Sequence, residues 1–443
     1  MQFPRYIIDV IKRIEAEGYS AYLVGGSVRD AIRRAPIHDW DIACSARPHE
    51  LKTIFQDSRI LDTGIQHGTI TVVCDEGAVE VTTFRSDGAY LDLRHPATIG
   101  FVDTVEEDLG RRDFTMNAIA YNPSSGFIDP FKGREAIAEG IIRSVGDPDR
   151  RLSEDALRIM RALRFSATLG YAIDENLAES LHANKGLLTA ISPERISIEL
   201  IKMLIGQNIL SVLTDYPDVL SVVIPEIEPT LGFDQKSRYH QYDVWEHTAR
   251  AVAYSKPDPV VRLALLLHDL GKPAKFFVDG KGTGHFYNHD LLGEELAKRR
   301  LKQLRFSNSM ITSVSAAIRF HQIRLKPENT QKWLARLGED TLRLVIEVCR
   351  GDMAAHADAV IEAILSDLHA SEARLAELLE EEACFRLSDL AIDGNDLLAI
   401  GIMEGKDIGR VLSQLLEAVV EGDLENNRET LLVAAESSSA LLG

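Results

Sequence analysis

The chain has 443 residues, 45% of them hydrophobic and 26% charged, with a formal net charge of −19. Such a length predicts two to four domains with sizeable cores, and no uninterrupted apolar stretch reaches the length of a membrane span, which excludes helical membrane insertion and predicts no membrane partner. The net acidity disfavours a uniformly nucleic-acid-binding surface, so any RNA contact must use local basic patches. The sequence offers three: Arg111 and Arg112; the series Arg143, Arg150, Arg151, Arg158, Arg161 and Arg164; and Lys298, Arg299 and Arg300. Charge runs of this kind also serve as ordinary solvated faces.

The N-terminal MQFPRYIIDVIKRIEAEG carries charges within its apolar pattern, unlike a secretory signal, and predicts a cytoplasmic protein. Cys44, Cys74, Cys349 and Cys384 form no CxxC pair, so they read as buried free thiols rather than as a zinc ribbon or disulfide framework. Residues 1–140 mix β-rich runs (AYLV, TITVV, VEVTTF) with amphipathic segments and predict a small α/β or α+β domain with a mixed sheet. Beyond it the strand signal almost vanishes. SEDALRIMRALRFSATLG, PERISIELIKMLI, VVRLALLLHDL and LLGEELAKRRLKQL have helical spacing, with Ser153 and Ser192 at expected N-caps. The expected division is a head over 1–140, a helical neck and body over 141–225, a further helical domain over 226–375 and a helical tail over 376–443.

YLVGGSVRDAIRR reads as a strand that ends at Gly25 and Gly26, followed by a helix opening near Ser27. Glycines let the backbone turn tightly and approach a ligand, and the free N–H groups of the helix favour an anion such as a triphosphate, with Arg29 adding a charge-assisted contact. Alone, the pair also fits a plain strand-to-helix turn. Downstream, HDWDIAC sets Asp39 and Asp41 at i and i+2 on an expected strand, projecting from one face. Side-by-side carboxylates are costly without a cation, and hard oxygen ligands suit Mg²⁺ bound together with substrate phosphates. Glu80, in AVEVTTF, is a candidate third carboxylate from a neighbouring strand. The expected chemistry is in-line attack of a 3′-hydroxyl on an α-phosphorus.

LVGGSVRD, DWD, VTTFRSDGAYLDLRHP, DLGRRDFTMNA, SEDALRIMRALRF and PERISIEL occur in that order over residues 20–205. The series resembles class II CCA-adding tRNA nucleotidyltransferases and their bacterial poly(A) polymerase relatives, within the DNA polymerase beta superfamily. That resemblance implies a catalytic head followed by helical neck, body and tail, acting on tRNA with CTP and ATP. It gives Asp39 and Asp41 the metals and places Arg111, Arg112, Asp113 and Asn117 near ribose and triphosphate. Its EDxxR motif stands here as Glu154, Asp155 and Arg158. On a helix, Asp155 and Arg158 are i,i+3 neighbours, so an acceptor and a donor face one base edge together. Cytosine and adenine both offer an amine beside a ring acceptor, which suits this pair; uracil and guanine offer the reverse. Arg161 and Arg164 continue the row, as the resemblance implies. The segment RSDGAYLDLRHPATIG reads as a mobile loop, which in that family helps switch specificity from C to A. An enzyme that adds only the terminal A stays open as an alternative, and a poly(A) polymerase is a lesser one.

Seven of the thirteen histidines fall in residues 240–356, in YHQYDVWEHTARA, LLLHDLGKP, GHFYNHDLLG, IRFHQIR and CRGDMAAHAD. The expected metal set is His247, His268, Asp269 and Asp352, whose imidazole and carboxylate ligands suit Ni, Mn, Fe or Zn. The segment resembles the HD phosphohydrolase superfamily over residues 236–356, which implies phosphatase and 2′,3′-cyclic phosphodiesterase chemistry. His289 and His321 match further histidines of that superfamily that hold a second metal or bind phosphate. Gln322 stands where some fused relatives carry Asp.

Overall fold

A computed structural model of the chain describes residues 3–37, 39–62, 64–87, 99–237, 241–356, 358–402 and 405–439. The chain divides into two compact units, Met1–Glu228 and Pro229–Gly443.

The first unit opens with a helix, Arg5–Ala16, whose Ile7, Val10, Ile11 and Ile14 are buried. Their i, i+3, i+4, i+7 spacing forms one apolar stripe, and each buried side chain contributes about 1.5–3 kcal/mol. Its first nine strands are β1 (Ala21–Val24), β2 (Asp41–Cys44), β3 (Arg59–Leu61), β4 (Thr69–Cys74), β5 (Gly77–Thr83), β6 (Arg85–Asp87), β7 (Ile99–Phe101), β8 (Ala120–Asn122) and β9 (Gly126–Ile128). Seven of them form a mixed sheet in the order β3-β4-β5-β2-β1-β8-β9. Only β2 and β5 run parallel, with Asp41 opposite Glu80; the other neighbours are antiparallel. Alternation drives the arrangement: Ile70, Val72, Val79 and Val81 are buried in β4 and β5, with less buried residues between them. The β6–β7 ladder flanks residues 88–98, so most of the loop expected to switch specificity lies outside the described residues.

Beyond the sheet the unit is helical, as the loss of period-2 patterning predicts, apart from one parallel pair of two-residue strands, Ile141–Ile142 with Ala172–Ile173. Two local expectations need correction. Ser153 is no N-cap: it lies inside the helix Pro148–Glu154, which Asp147 caps by accepting from Arg150 N. Ser192 is, as expected, the N-cap of the helix Pro193–Leu204, although its side chain makes no capping bond. Cys44, Cys349 and Cys384 are buried thiols, whereas Cys74 is only half-buried.

The second unit centres on the helix Pro259–Leu267, which touches Val244–Tyr254, Asn308–Phe320 and Glu339–Met353. It is apolar almost all round (VVRLALLL), and such a helix is stable only when surrounded. Its Arg262 is buried and donates to the carbonyls of Ala253 and Ser255. A short hairpin pairs Phe277–Val278 with Gly284–His285. The C-terminal helices Gly394–Ala399, Gly405–Glu421 and Arg428–Ser439 build a separate small core from Leu397, Val411, Leu415, Leu431 and Ala435. No helix among the described residues is long and apolar enough to cross a membrane.

Candidate active site and a buried histidine centre

The head carries a cavity of about 540 Å³ lined by Gly25, Gly26, Arg29, Asp39, Asp41, Arg111, Arg112, Asp113, Asn117, Asp155, Arg158, Arg161, Arg164 and Phe165. Thirteen of these fourteen residues stand among the sequence candidates; Phe165 is the addition.

Gly25 ends the strand with φ 69° and is the N-cap of the helix Gly26–Arg33. The positive φ favours glycine, and a Cβ there would also come 3.0 Å from Arg112 Nη1, so that Arg112 would have to give way. Asp41 opens β2, but Asp39 precedes the strand rather than sharing it, and the two carboxylates meet at the cavity through a loop-to-strand junction. Burial raises the Asp41 pKa above the ordinary carboxylate value, as do Glu80 and Asp39, with Arg112 opposing them. Around Asp41 itself the ionised form is disfavoured, so an added cation would be stabilising there, and the donors are hard oxygens, which fits Mg²⁺. Glu80 is exposed on β5 and lies outside the cavity lining, beside Asp41 in the ladder.

The cationic wall is braced from behind. Asp108, fully buried, accepts from Arg111 and Arg112 at 2.8 and 3.0 Å. Arg29 donates from Nη1 to Asn117 Oδ1 at 2.8 Å, and Asn117 Nδ2 donates to Asp113 Oδ1 at 3.0 Å. Asp113 Oδ2 accepts from Arg161 Nε at 2.8 Å. Burial opposes ionisation of Asp113, but Arg161, the Asn117 hydrogen bond and Arg158 hold its carboxyl well below the usual range. Phe165 lies under three guanidinium groups, those of Arg164, Arg29 and Arg161, at 4.0, 5.1 and 5.4 Å from its centroid. Burial and the charge of Arg161 push Arg164 down to about 10, against Glu199. So much cation around one ring marks a place for an anion.

This chain of bonds makes a stability prediction. Because the folded pKa of Asp113 is depressed, its contribution is present above the ordinary carboxylate pKa and is lost as pH falls through the folded value. Asp113→Asn should cost about 3 kcal/mol at pH 7 by stripping Arg161 of its counter-charge. Denaturant unfolding followed in the head should show the gap to the parent narrowing below about pH 4.

Asp155 and Arg158 differ from expectation. They do not share one helix: Pro148–Glu154 ends before Asp155, whose backbone is extended (φ −141°, ψ 100°), and the next helix is Leu157–Leu169. Asp155 is held by Arg195 at 3.0 and 3.3 Å. Arg158 is buried and anchored to the carbonyls of Arg151 and Arg111 and to Glu154, at 2.8, 2.9 and 3.1 Å. Both still reach the cavity. Most of the long arginine series is likewise ion-paired, including Arg143 to Glu139 and Asp174, Arg151 to Glu154 and Arg164 to Glu199. Lys298 pairs with Glu294. Sequence reasoning missed Arg195, although PERISIEL was in view, and Phe165, whose only signal was its place in the arginine row.

In the second unit His247, His268, Asp269 and Asp352 converge, all buried. His247 Nε2 is 2.8 Å from Asp352 Oδ1 and 3.7 Å from Asp269 Oδ2. His268 Nε2 is 3.2 Å from Asp269 Oδ2 and 3.4 Å from Asp352 Oδ1. His289 and His321 approach Asp269 Oδ1 at 3.3 and 3.9 Å. Each ring faces inward for the same reason: Nδ1–H donates to a main-chain carbonyl, in His247 to Ala355, in His268 to Leu265, in His289 to Phe286 and in His321 to Ile318. With Nδ1 engaged by a carbonyl, Nε2 is the ring nitrogen turned towards the carboxylates at the centre, the orientation that metal-binding imidazoles need. His268 Nε2 has no well-aligned hydrogen-bond partner. Burial opposes protonation of His268, but Asp269 and Asp352 outweigh it and push the imidazole up to about 10. Two ligand groupings, His247–His268–Asp269 and Asp269–His289–His321, share Asp269. A third, His247–Asp352–His356, brings in His356, which sequence reasoning missed. Its place four residues after Asp352 was the available signal. Lys272 Nζ lies 2.7 Å from Asp269 Oδ2 and donates to Gln235. A cavity of about 780 Å³ opens onto the cluster.

Known proteins match both units. A family model for the poly A polymerase head domain covers residues 21–143, one for a probable RNA- and SrmB-binding site of polymerase A covers 170–229, and one for a putative tRNA nucleotidyltransferase domain 2 covers 288–435. The CCA-adding enzyme of Enterococcus faecalis is 35% identical over 96% of this chain and 94% of its own length. That of Streptococcus thermophilus is 32% identical over 97% and 96%. The structure of the Bacillus stearothermophilus CCA-adding enzyme in complex with CTP superposes with a TM-score of 0.74 at 30% identity, covering 100% of this chain and 99% of that one. A Thermotoga maritima CCA-adding enzyme complexed with tRNA shares the fold at 19% identity, with a TM-score of 0.61 over 98% of this chain and 95% of that one. With its head cavity and its near full-length identity to these relatives, the chain belongs to the family of CCA-adding enzymes.

Proposed function

We propose that the protein adds CMP, CMP and AMP to the 3′ end of tRNA from CTP and ATP, without a nucleic-acid template. The observation that carries this reading is the single cavity joining the Gly25–Gly26 turn, the Asp39–Asp41 pair and the Asp155–Arg158 pair, with an arginine wall between. The relatives' names and their structures with CTP, ATP and tRNA support the same substrates.

Asp39 and Asp41 would hold Mg²⁺, which when bound neutralises charge on the attacking and leaving oxygens of the transferred phosphoryl group. Glu80 adds negative potential beside Asp41. The helix beginning at Gly26 turns its free N–H groups towards the triphosphate, and Arg29, Arg111 and Arg112 supply charge-assisted contacts. Asp113 and Asn117 keep Arg29 and Arg161 in place. Asp155 accepts from the exocyclic amine of cytosine or adenine, and Arg158 donates to the adjacent ring nitrogen. Three of the five Arg158 donors are committed to protein acceptors, which fixes the plane of the remaining edge. Arg161 and Arg164, stacked about Phe165, extend the cationic face. The division into head, neck and body, a metal-binding helical domain and a tail follows from the same reading.

The buried histidine centre supports a second, hydrolytic activity of HD type, with a transition metal held by His247, His268, Asp269 and Asp352. When bound, the metal supplies Lewis-acid activation of a phosphate ester and of the attacking water. The protein's part is to point the Nε2 atoms inward and to hold Lys272 beside Asp269, near enough to the cavity to meet a phosphate oxygen. Asp269→Ala should empty the site, read as metal per chain by elemental analysis, and abolish hydrolysis of p-nitrophenyl phosphate while nucleotide addition persists. Retention of both metal and hydrolysis would refute a role for this cluster.

A further inference from the structure

The two carboxylates of the head cavity are not held alike. Asp41 is the first residue of β2 and is fixed by its pairing with Glu80. Asp39 is exposed, faces the like charge of Asp41 and, among the described residues, takes part in no hydrogen bond or ion pair. Its position therefore depends on Trp40, the residue between them. Trp40 is secured twice. Its carbonyl accepts from Glu80 N at 3.1 Å, which carries the ladder past the start of β2. Its indole meets the ring of Phe3 nearly at right angles, with centroids 5.8 Å apart at 78°.

Alternation along the strand turns Trp40 and Ile42 to one face and Asp41 to the other. Ile42 pairs with Leu23, and Leu23 with Tyr121, so Trp40 shares a face with these three residues, on the side of the sheet away from the cavity. Phe3 packs on that face. It also meets Tyr121, at 5.3 Å and 38°, and Tyr121 meets Phe127 at 4.8 Å and 57°. Half-buried rings thus run from the Asp39–Asp41 junction to β8 and β9, which supply no residue of the cavity lining. The helix Arg5–Ala16 follows Phe3 closely, and its buried stripe keeps the ring in place.

We propose that Phe3 is a positioning residue for Asp39: by fixing the Trp40 ring from behind the sheet, it keeps the Asp39 carboxylate beside that of Asp41 despite their repulsion. The proposal rests on the reading that this pair holds Mg²⁺. Without the Phe3 ring, Trp40 regains rotamer freedom and the like charges draw apart, so a cation must first reorder the junction and binds more weakly. Asp155 and Arg158 are not part of this contact, so the choice of base stays as it is.

The test uses the full-length protein with CTP and a tRNA lacking CCA, and reads the Mg²⁺ concentration that gives half-maximal addition. Phe3→Ala should raise it by about threefold to tenfold, the worth of one aromatic pair, and Phe3→Tyr should bring it back. The CTP-over-UTP preference should move in neither. A second reading needs no turnover. With Trp245→Phe and Trp333→Phe in place, Trp40 is the remaining tryptophan. Paramagnetic Mn²⁺ bound beside it should quench its emission, with a midpoint displaced by the same factor when Phe3→Ala is added. Phe3→Leu keeps apolar bulk without the ring, covers the case in which Phe3→Ala does not fold, and should displace both midpoints by about twofold or more. A lowered Tm with both midpoints unchanged makes Phe3 a packing residue alone and overturns the proposal. If the parent adds no nucleotide at any Mg²⁺ concentration and Mn²⁺ leaves Trp40 unquenched, the metal reading itself has failed and the proposal falls with it.

Discussion

Asp41→Ala should lower nucleotide addition by about 10³-fold or more while leaving the head folded. The magnitude follows from the role: metal stabilisation of the transferred phosphoryl group is worth several kcal/mol, and each 1.36 kcal/mol is tenfold in rate. The sparing of the fold follows from electrostatics. Burial, Glu80 and Asp39 raise the Asp41 pKa, so its carboxylate is less comfortable in the folded chain than in the unfolded one. A group shifted this way penalises folding at pH values above its folded pKa, and the penalty fades as pH falls towards the unfolded value. Without divalent cation at pH 7, Asp41→Asn should therefore raise the Tm of the head. Adding Mg²⁺ should raise the parent's Tm more than the variant's. A variant that melts lower than the parent, or keeps full activity, would contradict the assignment.

Asp155→Asn should relax the choice of base. Asp155 presents acceptor oxygens only, and Arg195 grips both of them, so the carboxylate cannot turn to offer anything else. An amide offers a donor as well, which uracil O4 can use and the cytosine N4 amine cannot. A site built on hydrogen bonds rejects a mismatched partner by on the order of 10⁴-fold, and losing one such element should erode the CTP-over-UTP preference by roughly 10²-fold. The change belongs in the ratio of kcat/KM values with a tRNA lacking CCA. Arg195→Ala should move the ratio in the same direction, because it frees the carboxylate to rotate. An unchanged ratio in both would mean that the base edge is read elsewhere.

Much of this was visible in the sequence where one periodicity or one spacing decided the outcome. AYLV, TITVV and VEVTTF became β1, β4 and β5 because alternation is local, and VVRLALLL became a surrounded helix because nothing else buries so many apolar residues. The break at Asp155 was hidden for the opposite reason. SEDALRIMRALRF has an unbroken helical pattern, and what interrupts it is tertiary: Arg195 takes the Asp155 carboxylate, and the carbonyl of Arg111 takes Arg158. Asp39 was misjudged for a similar reason, since spacing of two reads as a strand whether or not the first residue joins the ladder. At the histidine centre the HD pair and its distant Asp352 were legible as residue types. The inward aim of four Nε2 atoms was not, because it depends on main-chain carbonyls that sequence does not locate.

The most direct test of the polymerising site is extension of three tRNA substrates, ending before CCA, after C and after CC, with CTP or ATP supplied singly and together and with Mg²⁺ present. The first two should take up C with CTP alone, the third should take up A with ATP alone, and all three should end as CCA with both nucleotides. Extension of only the CC-ending substrate would contradict full CCA synthesis, and extension of none would remove nucleotide transfer from this cavity altogether.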